Sequence, residues 1–246
     1  MRSQLRRVLQ PEKSPVVRPN GVHHLAISTA DIKQQIEYFT DVLGCELVAL
    51  YWMHGVEGAW HGFLRMNDQS YLAFVEMAEN KEIERDIGTT HAGWAGGPSA
   101  GGTMQHISFN VDTHDDLLAI RDRIRSRGIN VYGPIDHGMC YSIYFPGLED
   151  LSLEVSTSET AIDQRAWIDP EVVELAGITA EELDRYRQPP AFERPAEPIP
   201  QPERNPDLPY PRGMPMDRYD MVLGVPDEII AQPNEFSKPP VAVDDA

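Results

Sequence analysis

Between residues 21 and 157 the spacing of apolar and polar positions switches between two periods, and the same order of switches occurs twice. The first copy opens with HHLAIST (23–29), where apolar residues alternate with small or polar ones as in a half-buried strand. DIKQQIEYFTDVLG (31–44) then sets Ile32, Ile36, Phe39 and Leu43 three or four apart, the spacing of one helix face. CELVALYW (45–52), WHGFLRM (60–66) and QSYLAFVEM (69–77) return to strand patterns. The second copy runs QHISFNV (105–111), HDDLLAIRDRIRSRG (114–128), INVYGPI (129–135), CYSIYF (140–145) and LSLEVS (151–156), with Leu117, Ile120 and Ile124 on its helix face. Gly44 and Gly128 sit where a left-handed residue ends a helix. His24 precedes Gly44 by 20 positions and His106 precedes Gly128 by 22, so the copies keep nearly one register. Each copy reads βαβββ. One copy cannot cover both faces of its sheet. Two predict an α+β fold whose paired βαβββ modules curl into a half-open mixed β-barrel around a shared cleft.

The flanks differ in character. Residues 1–20 read as a basic, proline-containing N-terminal arm, and 21–157 as the domain, with modules at about 21–80 and 103–157. The glycine-rich linker 88–102 between them contains GWAGGPSAGG, which lacks the strand–GxGxxG–helix setting and the lysine of phosphate-binding loops, so it reads as a linker or a lid. Over 158–246 a short helix is expected at 169–187, with Asp169 as N-cap, Pro170 at the first helical position and Glu171 in the first turn. Beyond it the proline density forbids regular structure. Phe192, Ile199, Leu208 and Tyr210 fit an extended arm lying on a surface, with disorder as the alternative.

Composition narrows the classes. The chain has 246 residues, 41% hydrophobic, and a formal net charge of −18, which disfavours nucleic acid or an anionic membrane as partner. Its apolar runs are too short for a membrane helix, and the basic N-terminus is not followed by the apolar stretch of a signal peptide. Cys45 and Cys140 are far apart without CxxC spacing, which fits free thiols in a reducing cytoplasm.

The candidate chemistry lies in the strands. His24 and His106 hold the same place in the two copies, at the head of the first strand. Alternation puts Leu25, Ile27, Ile107 and Phe109 towards the helices and the two histidines on the concave side, facing each other. In LSLEVS the same alternation turns Glu154 to the concave side, where a carboxylate flanked by apolar residues must be paired or bind a cation. The matching position of the first copy is Ala73, which has no donor atom. His24, His106 and Glu154 are therefore the expected metal ligands, with His23 as the rival of His24. Two imidazoles and one carboxylate with open positions suit a non-haem ferrous ion, and also Mn, Co, Ni or Zn.

On the stretches HHLAISTADIKQQIEYFTDVLGCEL, MQHISFNV and SIYFPGLEDLSLEV the chain resembles the vicinal oxygen chelate superfamily, which includes glyoxalase I, methylmalonyl-CoA epimerase, fosfomycin resistance proteins and extradiol dioxygenases. The resemblance covers about 21–157 and leaves both arms unexplained. It implies the fold and a divalent metal site; within the superfamily the His/His/Glu set most resembles extradiol dioxygenases, because glyoxalases and epimerases usually carry a fourth ligand where Ala73 stands. Those dioxygenases have a tyrosine ten residues before the glutamate ligand, matched by Tyr144, whose hydroxyl would then contact a metal-bound oxygen. Their acid/base histidine has no counterpart, since Ser70 is nearest; His91 on the glycine-rich loop is taken as the catalytic histidine, with His61 and His137 as substrate-binding candidates. They also commonly carry two pairs of modules, and this chain has one. The implied activity is an Fe(II)-dependent, extradiol-type dioxygenase acting on a small substrate with vicinal oxygens. A metal-dependent isomerase or lyase and a non-catalytic small-molecule binder are the alternatives. Folds of this type often dimerise, and a homodimer with the proline-rich arm packed on the partner or on its own barrel is expected.

Overall fold

The computed structural model describes residues 18–243, so most of the expected N-terminal arm lies outside the described residues. The chain forms two compact units, one spanning Asn20–Ile178 and the other containing the chain from Thr179 onwards.

The larger unit holds both modules. The first comprises β1 (His24–Thr29), α1 (Ile32–Tyr38), β2 (Glu46–Trp52), β3 (Trp60–Asn67) and β4 (Ser70–Glu76). The second comprises β5 (Ile107–Val111), α2 (His114–Ser126), β6 (Tyr132–Asp136), β7 (Tyr141–Pro146) and β8 (Ser152–Thr157). Local chemistry explains the helix ends. The Asp31 side chain accepts from the Gln34 amide at the start of α1, and Thr113 and Asp116 form a reciprocal capping box at the start of α2. α1 continues as a π-helical turn over Phe39–Leu43. Gly44 and Gly128, both at φ +78°, end the two helical segments in the conformation that glycine adopts without steric cost.

The strands form two separate four-stranded sheets, ordered β1-β4-β3-β2 and β5-β8-β7-β6. In each, the first strand runs parallel to the last, and the other pairings are antiparallel. The register matches between copies: Ala26 pairs with Ala73 and Ser108 with Glu154, while Phe63 faces Ala73 and Tyr144 faces Glu154. β1 and β5 are edge strands.

One hydrophobic core serves both modules. Phe39, Leu64, Leu72 and Phe74 from the first and Leu117, Ile124, Ile143 and Leu153 from the second are completely buried in it. Leu25, Ile27, Ile107 and Phe109 pack against this cluster, on the sheet faces turned to the helices. Each completely buried large apolar side chain of the cluster contributes about 1.5–3 kcal/mol by leaving water. Arg123 of α2 donates to the carbonyls of Thr40, Asp41 and Val42, satisfying the end of the first helical segment from the other module.

Downstream, the expected single helix over 169–187 is two helices. α3 (Gln164–Trp167) precedes α4 (Pro170–Leu175), Gly177 at φ +69° turns the chain, and Thr179 starts α5 (Ala180–Arg187) with a new capping box to Glu182. The proline-rich arm is likewise not extended throughout. It contains α6 (Met216–Leu223) and α7 (Asp227–Ile230), which begin directly after Pro215 and Pro226. Proline interrupts a helix from within but is tolerated at its start.

Candidate metal centre

The concave face of the second sheet carries a connected polar network. Glu154 is buried, with only 5% of its surface exposed, in the middle of β8. Its Oε2 lies 2.9 Å from His106 Nε2, and its Oε1 accepts from Ser156 Oγ at 2.7 Å. Ser156 in turn meets Ser108 at 2.7 Å and Ser142 at 2.9 Å, so three hydroxyls back the carboxylate. Burial alone pushes the Glu154 carboxyl up. Hydrogen bonds from Ser142, Ser156 and Tyr144, with the nearby His106, outweigh that and hold it below the ordinary value. Tyr144 stands directly across from Glu154 on β7, and its hydroxyl is 3.0 Å from His137 Nε2. Burial, then the Glu154 carboxylate beside it, raises the Tyr144 phenol to about 12, so it keeps its proton at neutral pH.

The equivalent face of the first sheet is aromatic. His24 lies against Phe63 (ring centroids 5.3 Å apart), Phe63 against His61 (4.5 Å), and Tyr71 stands beside His24 in the β1–β4 register. Ala73, fully buried, fills the slot that Glu154 fills in the other copy. Tyr51 places its hydroxyl 3.5 Å from His61 Nδ1, while His61 Nε2 is buried without a hydrogen-bond partner. Burial, followed by the charges of His24 and His54, depresses the proton affinity of His61 and favours its neutral form.

The structure brings together His106, Glu154, Tyr144 and His137, but not the complete ligand set. Among the described residues no group of three or more His, Cys, Asp or Glu side chains is arranged to hold a metal ion. His24 turns to the concave face of its own sheet, as alternation predicts, yet it does not meet His106 and Glu154. The physical reason is the shared core: the modules bury their helix-side faces in one apolar cluster, so each concave face is left with its own donors. His91 is elsewhere again. It lines a small pocket with Thr29, Arg85 and Glu149, and its Nδ1 is 2.9 Å from Thr90 Oγ1. The donors that are present fit a divalent cation as a partial site: one imidazole nitrogen and one carboxylate oxygen at 2.9 Å, backed by hydroxyl donors.

Two features beyond the expected residues complete the face. Ser108, Ser142 and Ser156 were signalled by polar residues at alternate positions of otherwise apolar strands. A groove of about 620 Å³ adjoins Tyr144 and Ser152 and is walled by Trp94, Tyr132, Ile135 and Pro146. Among the described residues no lysine or arginine lines it. Trp94 places part of the glycine-rich linker in that wall.

Residues 21–151 match the family described as the glyoxalase/bleomycin resistance protein/dioxygenase superfamily. No curated protein matches the chain. Solved structures that are similar include a glyoxylase/bleomycin resistance protein/dioxygenase domain from Frankia sp. EAN1pec, 13% identical, covering 57% of this chain and 99% of that one, with a TM-score of 0.45. The fosfomycin resistance protein FosX from Listeria monocytogenes, solved with Mn(II) and sulfate, is 13% identical, with 61% of this chain and 99% of that one covered and a TM-score of 0.40. The antibiotic binding protein TnmS3 from Streptomyces sp. CB03234 is 12% identical, with 58% and 98% covered and a TM-score of 0.40. Among the described residues no helix is long and apolar enough to cross a membrane.

Proposed function

The chain belongs to the glyoxalase/bleomycin resistance protein/dioxygenase superfamily, and from that premise we propose that it is a metal-dependent enzyme, an extradiol-type dioxygenase using Fe(II), acting on a small substrate with two adjacent oxygens. The observation that carries this reading is the Glu154 network: a buried carboxylate paired with His106, with a protonated tyrosine directly across from it. His106 and Glu154 would hold the ion together with His24 from a second copy of the chain. A divalent ion there supplies a Lewis acid for adjacent substrate oxygens. Ala73 leaves the fourth protein position without a donor, which keeps room for ligands other than the protein.

The homodimer follows from the split ligand set and from the sheet edges. β2 carries Glu46, and β6 carries Pro134 and Asp136, residues that discourage strand addition. β1 and β5 carry neither charge nor proline, so their outer edges suit pairing with another chain. A two-fold arrangement that sets the first module of one copy against the second module of the other makes two equivalent sites.

Within such a site Tyr144 donates its hydroxyl hydrogen to a substrate oxygen, and His137 orients that hydroxyl. The groove walled by Trp94, Tyr132 and Pro146 takes the apolar body of the substrate, and its lack of basic residues favours a neutral ring over an anionic group. His61, neutral and with an unpartnered nitrogen, is the better proton carrier than His91, because it shares the face of His24. That same nitrogen is what favours the second reading, an isomerase or lyase in which His61 takes a proton from carbon. Oxygen consumption by the full-length protein, loaded with Fe(II) without air and offered a panel of catechols, tests the choice. Consumption with ring opening is expected. A protein that consumes no oxygen with any of them, yet exchanges a carbon-bound proton of a 2-hydroxy carbonyl compound into solvent, is the isomerase or lyase.

A further inference from the structure

Gln105 stands immediately before His106, and its side chain meets four groups at once. Its amide nitrogen lies 3.3 Å from the Trp94 carbonyl, 2.9 Å from that of Ala95 and 3.1 Å from that of Gly97. Backbone carbonyls only accept, so the end of the amide turned to three of them is the NH2 group. The other end, Oε1, then faces His106 Nδ1. An oxygen acceptor there requires that Nδ1 carry the hydrogen. The neutral imidazole is left with its lone pair on Nε2, the nitrogen 2.9 Å from Glu154 Oε2. Two lone pairs aimed at each other across that distance repel unless a second ring proton or a metal cation lies between them.

Resting on the metal-centre reading above, we propose that Gln105 is a positioning residue: it sets the His106 tautomer so that Nε2 is the donor, and it ties that ring to the Trp94–Gly97 turn. The turn is built to hold its carbonyls in place. A Cβ on Gly97 would sit 2.2 Å from the Ala92 carbonyl oxygen, and one on Gly96 2.4 Å from the Trp94 ring. Gly97 meets backbone and accepts no side chain, while a side chain at Gly96 would have to displace the Trp94 ring, so the turn that groups the three carbonyls depends on both glycines. Trp94 is also a wall of the groove beside Tyr144, which links the place where substrate rests to the orientation of a metal ligand. The first module repeats the device with different chemistry. His23 occupies the place of Gln105, and its Nδ1 is 2.9 Å from His24 Nδ1, so one ring donates and the other accepts. In both modules the residue before the expected ligand meets that ligand's Nδ1, and in the second it is Nε2 that meets Glu154.

The test uses full-length, metal-free protein at alkaline pH, with histidine tautomers read from long-range proton–nitrogen correlation spectra and His106 assigned through His106→Gln. The expected result is a His106 ring protonated at Nδ1. Gln105→Leu removes acceptor and donor, so Nε2–H becomes populated and Zn(II) affinity, measured by competition with an indicator, falls about 10–100-fold, the range for losing such an outer partner. Gln105→Glu keeps the acceptor but turns a carboxylate towards the three carbonyls. It holds the Nδ1–H tautomer and keeps the loss of zinc affinity below the roughly 10-fold at which that range begins, while hydrogen exchange at 94–97 speeds up. A wild-type ring protonated at Nε2, or a Gln105→Leu variant with unchanged tautomer and zinc affinity, overturns the proposal. If Gln105→Leu does not fold, the wild-type spectrum decides alone. Failure of wild type to bind zinc overturns the metal reading by itself, because the tautomer spectrum needs no metal.

Discussion

The two sheet faces share strand order, register and a leading histidine, yet they are chemically opposite. Around Glu154 the second module gathers His106, Tyr144 and three serines into one hydrogen-bonded network. Around Ala73 the first module offers His24 and His61 set among Phe63, Tyr71 and Tyr51. A duplicated fold has thus divided its labour. One copy keeps the carboxylate and the donors that hold it ionised; the other keeps histidines set among aromatic rings, with alanine in the carboxylate's slot. Because both copies spend their helix-side faces on a common core, neither face reaches its counterpart within the chain. Half a site can thus be complete in its supporting hydrogen bonds while still lacking a ligand.

Disabling one face per chain separates the two halves of the proposed site. His24→Ala removes the imidazole that the first module would give to the ion, and Glu154→Ala removes the second module's carboxylate. Each variant alone is expected to lose stoichiometric metal while staying folded. Refolded together in equal amounts, they restore about a quarter of the wild-type sites, since half the two-fold dimers are mixed and each mixed dimer has one intact site. A mixture that stays empty places the site within one chain and refutes the shared arrangement. Metal analysis after desalting reads the result.

A second, smaller effect separates the two positions that face the ligand slot, Phe63 and Tyr144. Tyr144→Phe makes the second face resemble the first by deleting one hydroxyl and almost no volume. A neutral hydrogen bond contributes ~1 kcal/mol, and one that strengthens as charge develops ~3. Turnover should fall roughly tenfold to a few hundredfold with metal content and melting temperature nearly unchanged. Turnover equal to wild type would make the tyrosine an ordinary strand aromatic like Phe63.

Much of this is legible in the sequence, and the reason is periodicity. Alternation in HHLAIST, QHISFNV and LSLEVS assigns each side chain to a face, and Leu25, Ile27, Ile107, Phe109, Leu151, Leu153 and Val155 all lie at the core as it assigns them. The glycines after the two helices announce their own left-handed ends. Alternation says nothing about which face meets which, however. The expectation that His24 and His106 look at each other inside one chain needed that further information, and the common core denies it. Tyr144 had a similar gap: the turn at 147–150, with Glu149 and Asp150 both at positive φ, hides its parity with Glu154, and only the strand register places the two opposite each other. The Gln105 contacts lay beyond reach for another reason. Three carbonyls from a coil segment have no sequence signature, since any residue type supplies a carbonyl. The interruption of 169–187 at Gly177 was readable in principle: TAEE, straight after a glycine, is a second helix start.

The smallest expected effect concerns the hydroxyls that the first face lacks. Val75 holds the place in β4 that Ser156 holds in β8, so Ser156→Ala moves the second face one step towards the first. The variant deletes the 2.7 Å bond to Glu154 Oε1 and unlinks Ser108 from Ser142. The Glu154 carboxyl sits below its ordinary value because such donors outweigh burial. A carboxyl depressed in the folded state stabilises the fold above its unfolded value, and that stabilisation is lost as pH falls through the folded value. Removing one donor raises the folded value and narrows that window from its acid end. In metal-free protein, Ser156→Ala should therefore cost ~1 kcal/mol at neutral pH, and the gap from wild type should close as acid protonates Glu154 in both. Chemical denaturation at a series of pH values measures this. A gap of constant size down through the carboxylate range would mean that Ser156 acts by packing, and that the ionised state of Glu154 is held by Ser142, Tyr144 and His106 without it.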